Sequence, residues 1–255
     1  MNMATDAPQT AEKRAARRDL AAAYRLIAHF GLDDSIYTHI SARAEANKEH
    51  FLINPYGYRF EEVTAANLVT IDLDGHVIDD PDSAGYNKAG FTIHSAIHEA
   101  RPDVHCVLHT HSVAGVAISC LEEGLLPLNQ WAMEFHGRTA YHDYEGIALD
   151  LAERERLVAD LGDKSVMVLR NHGMLVCGRT VGEAFKRMHN LERSCQAQLA
   201  VMASGMKVRR PDDALAEHTA QQYEKWDADH DIGDRDPEWE AYLRLLARIQ
   251  PDFEG

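Results

Sequence analysis

The chain has 255 residues, 45% of them hydrophobic and 26% charged, and 26 Lys and Arg against 41 Asp and Glu give a formal net charge of −15. That balance argues against a binder of phosphate backbones, which needs a basic face, and no run approaches the roughly 18 apolar residues that span a bilayer. The 15 histidines are the unusual number, and they direct attention to metal and proton chemistry.

Met1 to Thr10 reads as a disordered leader, and the polar stretch to Arg18 lacks the apolar core of a secretory signal. From Ala11, apolar Leu20, Tyr24, Ile27 and Phe30 recur at helical spacing, and Gly31 is placed to end the helix. Short β-type runs follow at Thr38–Arg43, His50–Asn54 and Leu68–Asp72, broken by turn signals at Asn54-Pro55-Tyr56-Gly57 and Asp72-Leu73-Asp74-Gly75. A loop from Asp79 to Gly85 leads into a helix over Ala89–Ala100. Val104–Thr110 then reads as a strand, Ser112–Leu121 as a helix of small residues, and Ser165–Arg170 with Met174–Cys177 as a strand pair. A long helix covers Val181–Ala203.

From Pro211 onward the chain holds 13 acidic and 4 basic residues. Its large apolar side chains, among them Trp226 and Trp239, fall at helical spacing, as expected of helices docked on this domain or on a neighbouring subunit. Strands and helices alternate without a strict βαβ rhythm, and no Gly-rich dinucleotide fingerprint follows a strand. The expected organisation is a leader over 1–10, one layered α/β domain over 11–210, and an acidic helical extension over 211–255. Cys106, Cys120, Cys177 and Cys195 are widely spaced with no Cys-x-x-Cys, as in reduced cytosolic proteins, so a cytoplasmic location is expected.

The strongest chemical signal is His109-Thr110-His111 at a strand end. Alternation turns His105, Val107, His109 and His111 to one face and Val104, Cys106, Leu108 and Thr110 to the other. Two imidazoles two positions apart, with Cα atoms roughly 6 to 7 Å apart, can converge on one ion at about 2.0–2.1 Å. His172, in the tight turn Asn171-His172-Gly173, is a natural third ligand. Three imidazoles leave a coordination position open, as catalytic sites require. His94 and His98 share a helix face, but without the His-Glu-x-x-His order they read as packed, hydrogen-bonded histidines. His136 and His142, either side of Tyr141, line a cavity or an irregular surface strand. Neither a nucleophile elbow nor a phosphate-cradling loop is present.

The strings Ile36-Tyr37-Thr38-His39-Ile40-Ser41-Ala42-Arg43, Phe51-Leu52-Ile53-Asn54-Pro55-Tyr56-Gly57, Ala89-Gly90-Phe91-Thr92-Ile93-His94-Ser95-Ala96-Ile97, Arg101-Pro102-Asp103-Val104 and Leu169-Arg170-Asn171-His172-Gly173 together resemble the class II aldolase/adducin family. The resemblance is strongest to its adducin-like bacterial branch and the adducin head domain. It implies a three-layer αβα fold, with a central, mainly antiparallel sheet of about nine strands flanked by helices, and a homotetramer or other homo-oligomer. It also implies a divalent metal, foremost zinc with iron or manganese as alternatives, on His109, His111 and His172. Thr38, Asn54, Tyr56, Gly57 and Lys88 fall at positions of substrate contact.

The departures bear on the reaction. Where the family's sugar-phosphate aldolases carry a catalytic glutamate, this chain has Gly90. Two phosphate-binding serines are Lys88 and Ala89, and the Gly-Asn of the first phosphate loop is Thr38-His39. Glycine cannot act as a general base, so phosphosugar cleavage is disfavoured, and Lys88, His39 and Tyr141 become the candidate catalytic groups. Lys88 reads equally as a solvated loop lysine. The favoured function is a metal-dependent lyase acting on a carbon–carbon bond of a small hydroxy, oxo or carboxylate substrate, by aldol cleavage or decarboxylation. The alternatives are a non-catalytic interaction module like the adducin head and a non-haem iron oxygenase using the same three histidines. Neither nucleic acid nor membrane is an expected partner.

Overall fold

The computed structural model describes residues 10–45, 49–146, 151–230 and 236–255. Most of the expected leader therefore lies outside the described residues. In chain order the elements are α1 (Ala11–His29), β1 (His39–Arg43), β2 (His50–Ile53), β3 (Val69–Asp72), β4 (Val77–Asp79), α2 (Lys88–Ala100), β5 (Cys106–Thr110), α3 (Val113–Ser119), α4 (Gln130–Met133), β6 (Thr139–His142), α5 (Leu151–Leu161), β7 (Val166–Leu169), β8 (Gly173–Gly178), α6 (Val181–Ala203), α7 (Asp213–His230) and α8 (Pro237–Ile249). No helix among the described residues is long and apolar enough to cross a membrane.

The strands form one sheet in the order β4-β3-β2-β1-β5-β8-β7-β6. Every pair is antiparallel except β6–β7 at one edge, which is parallel and joined through α5. The described sheet thus has eight strands rather than about nine. Side chains from β1, β5 and β8 alternate between two cores. On one face Ile40, Leu108 and Val176 pack with Leu20, Tyr24 and Ile27 of α1 and Phe185, Met188 and Leu191 of α6. On the other, Val107, Leu175 and Cys177 meet Ile93 and Ile97 of α2 and Leu157 and Leu161 of α5. Helices therefore cover both faces, and the architecture is three-layer α/β.

The helix ends follow from local chemistry. Thr10 caps α1 by accepting the Lys13 N–H at 3.1 Å, and Ser112 caps α3 by accepting that of Gly115 at 3.2 Å. In the acidic extension, Trp239 and Leu246 of α8 join the core beside α1 and α6 of the same chain, while Trp226 on α7 is 62% exposed. Arg138 ties α7 to the body through Glu217 and Glu224. Val104 departs from the expected alternation: it precedes the paired part of β5 and packs on the α2/α5 side with Val107.

Candidate metal centre

β5 lies between β1 and β8 in the middle of the sheet, and its register sets His109 opposite His39 on one side and Leu175 on the other. His109 Nδ1 is 2.9 Å from the Met174 carbonyl, and His111 Nδ1 is 2.9 Å from Asp34 Oδ2. A carbonyl or carboxylate only accepts, so both rings carry their proton on Nδ1. The two Nε2 atoms then face each other at 2.9 Å, an arrangement that calls for a proton or a metal ion between them.

His172 is delivered by the β7–β8 turn. Asn171 takes a left-handed conformation at φ 55°, and a Cβ on Gly173 would lie 2.5 Å from the Thr110 carbonyl oxygen, so only glycine allows this approach of turn to strand. The His172 ring centroid sits 4.8 Å from those of both His109 and His111, and one nitrogen from each ring falls within 4.8 Å of the others. Burial, then the neighbouring histidines, holds His109 well below the usual imidazole range, and burial and His111 bring His172 down to about 4. Imidazoles held at Nδ1 by a carbonyl and a carboxylate, with Nε2 turned toward a third ring, suit a divalent ion.

The triad opens on a cavity of about 340 Å³ whose wall also includes Asp34, Tyr37, His39, Asn87, Gly90, Ile93 and Tyr144. His39 is the one proposed catalytic group that the described residues bring to it. A Cβ built on Gly90 would lie 1.7 Å from His39 Nε2, so the imidazole fills the space beside that glycine. Behind His39, Nδ1 is 2.8 Å from His94 Nε2, and Ser41 Oγ lies 2.7 Å from His94 Nδ1 and 2.8 Å from His98 Nε2. His94 and His98 are thus both buried and bonded to a common hydroxyl rather than to each other.

The other candidates lie elsewhere in this subunit. Lys88, the first residue of α2, is exposed and outside the cavity wall. Tyr141 packs against the core on the opposite face of the sheet, its hydroxyl accepting the Leu125 N–H at 3.2 Å under the guanidinium of Arg170. Asn54 is buried, accepting the Tyr24 hydroxyl at 2.8 Å, and Thr38 is buried with no partner for its hydroxyl. Tyr56 and Gly57 are exposed at a turn, with Gly57 at φ 86°. His142 bonds Asp160 at 2.7 Å. Sequence reasoning missed Asp34, Tyr37 and Asn87 as cavity residues. It also missed Ser41, although strand alternation puts Ser41 and His39 on one face of β1.

A layered α/β domain with three histidines at the open end of its central strands defines a class of proteins. The model for the Class II Aldolase and Adducin N-terminal domain matches residues 18–199, and the chain belongs to that family. An aldolase II superfamily protein from Pseudomonas syringae has 47% sequence identity to it and a TM-score of 0.89, over 96% of this chain and 97% of that one. An L-fuculose 1-phosphate aldolase from Glaciozyma antarctica PI12 has 29% identity and a TM-score of 0.83, covering 100% and 97% of the two chains. Alpha-adducin of Rattus norvegicus is 46% identical over 190 residues, which span 74% of this chain and 26% of the adducin.

Proposed function

We propose that the chain is a divalent-metal-dependent lyase that makes or breaks a carbon–carbon bond in a small hydroxy, oxo or carboxylate substrate, by aldol cleavage or decarboxylation. The observation carrying this reading is the pair of Nε2 atoms facing each other at 2.9 Å with His172 beside them. His109, His111 and His172 hold the ion, zinc foremost, with iron or manganese as alternatives. When bound, such an ion polarises substrate oxygens and stabilises the negative charge left on carbon as the bond breaks.

The chain's own groups do the rest. Asp34 and the Met174 carbonyl hold the His111 and His109 rings in place. His39, in the cavity wall, takes up and returns the proton that the reaction moves. Lys88, Tyr141, Thr38, Asn54, Tyr56 and Gly57 contribute to substrate handling only if a neighbouring subunit or a moved loop brings them to a cavity, so a homo-oligomer, with a homotetramer first, is part of the proposal. The domain division at residue 210 and a cytoplasmic location belong to the same reading.

Elemental analysis of protein purified without added metal or chelator tests it. About one zinc or manganese per subunit supports the lyase, while iron redirects the search to oxygen-dependent chemistry on the same ligands. His109→Ala is expected to lose most of the metal while keeping its circular dichroism spectrum and a cooperative melt; unchanged metal content rejects the ligand assignment. A non-catalytic interaction module is the second reading, favoured by the 46% identity to alpha-adducin. It gains if metal stays below about a tenth of an equivalent and added zinc or iron does not bind.

A further inference from the structure

The polar chain behind His39 is longer than one imidazole needs. It runs His39 Nδ1, His94 Nε2, His94 Nδ1, Ser41 Oγ, His98 Nε2, with gaps of 2.8, 2.7 and 2.8 Å. The four side chains belong to residues 0 to 4% exposed. It stops at His98 Nδ1, a buried nitrogen with no hydrogen-bond partner.

Buried Ser41 Oγ bonds only these two nitrogens among the described residues, so its proton is spent within the chain; with one proton on each neutral imidazole, the bonds then run in only two senses. In one, His39 Nδ1–H donates to His94 Nε2, His94 Nδ1–H donates to Ser41 Oγ, and the Ser41 hydroxyl donates to His98 Nε2; every ring then carries its proton on Nδ1. In the other, every ring carries it on Nε2. The three histidines must therefore share one tautomer. Burial holds His39 and His94 well below the usual imidazole range, and His98 at about 3. Beyond the far end, Arg43 bonds the carbonyls of Val104 at 3.0 Å and His98 at 2.6 Å, and its charge opposes a cation on His98.

We propose that Ser41, His94 and His98 are positioning residues that lock the His39 ring in a single tautomer shared along the chain, so that its Nε2, beside Gly90, presents one fixed protonation state to the cavity. The proposal rests on the reading of His39 as the proton-accepting group. The chain is a clamp and not an exit. A proton relayed along it would leave a cation at His98, beside Arg43, with no acceptor to pass it to.

Long-range ¹H–¹⁵N correlation on metal-free, ¹⁵N-histidine-labelled protein near neutral pH distinguishes the two neutral tautomers ring by ring, with His39→Gln, His94→Gln and His98→Gln assigning the signals. The expected result is one and the same tautomer at all three rings. Ser41→Ala should convert His39 and His94 to mixtures of tautomers, and Ser41→Thr, which keeps the hydroxyl, should restore the single form. Unlike tautomers in the unsubstituted protein or a Ser41→Ala protein with unchanged populations each overturn the proposal. If Ser41→Ala fails to fold, the unsubstituted protein decides alone. Zinc titration of the same sample, read through His109, His111 and His172, separates the two readings. A uniform tautomer without zinc uptake keeps the lock and removes the lyase; zinc uptake with unlike tautomers does the reverse.

Discussion

Gly90 and His39 occupy one volume, and a substitution at either is felt by the other. Gly90→Glu must push the His39 ring aside from a Cβ contact of 1.7 Å. Overpacking of that kind costs about 1–3 kcal/mol, which a lowered urea midpoint would register. Adding His39→Gly should recover much of the loss, giving a clear coupling in the double-mutant cycle; strictly additive effects would show that the two positions do not compete. Neither variant is expected to cleave a phosphosugar, because Lys88 and Ala89 stand where the family resemblance implies phosphate-binding serines. The sequence exposed both departures from the family pattern. It did not show that they meet, because that depends on how α2 seats against β1, a non-local contact that no periodicity records.

The turn between β7 and β8 carries His172 into place, and its geometry hangs on Gly173. Gly173→Ala puts a methyl 2.5 Å from the Thr110 carbonyl and 3.2 Å from the His111 ring, so the turn must back away from β5. Metal affinity is expected to fall roughly 10- to 100-fold, as for other losses of ligand support, while the sheet persists; calorimetric titration with zinc measures it, and an unchanged affinity would contradict the close approach. Elements with strong patterns were legible: α1 and α6 because apolar residues recur along them at helical spacing, and β8 because it is an unbroken run in which every residue is buried. β4 was not, since its three residues are all exposed, nor was α5, whose apolar stripe rests on little more than Leu157 and Leu161. β6 read as an irregular segment because its ladder partner is a parallel strand reached through that unrecognised helix.

At the scale of the molecule, the buried histidines make stability depend on pH. In the metal-free protein His39, His94 and His98 stay neutral when folded but titrate near 6.5 when unfolded. Below pH 6.5 the unfolded chain binds protons that the folded chain refuses. Stability is then full above 6.5 and falls as pH drops towards about 3, by up to about 1.4 kcal/mol per pH unit for each imidazole. Glu134, pushed up to about 7 by burial, acts in the opposite direction between its ordinary value and 7, but it is one group against three. Urea midpoints at several pH values should therefore decline on acidification, and a flat profile across pH 7 to 5 would contradict the buried neutral state.

The central register has an evolutionary consequence. His39 sits opposite His109, and Ser41 opposite Val107, on adjacent antiparallel strands. Because side chains alternate, a slip of one residue would turn every member of that wall to the other face. Insertions and deletions in this lineage are thus confined, if the pocket is to survive, to stretches such as residues 80–85, where added length shifts no ladder. Divergence within β1 and β5 must proceed by replacement at fixed length, and new chemistry in this pocket would arise by exchanging side chains in a frame whose spacing is frozen.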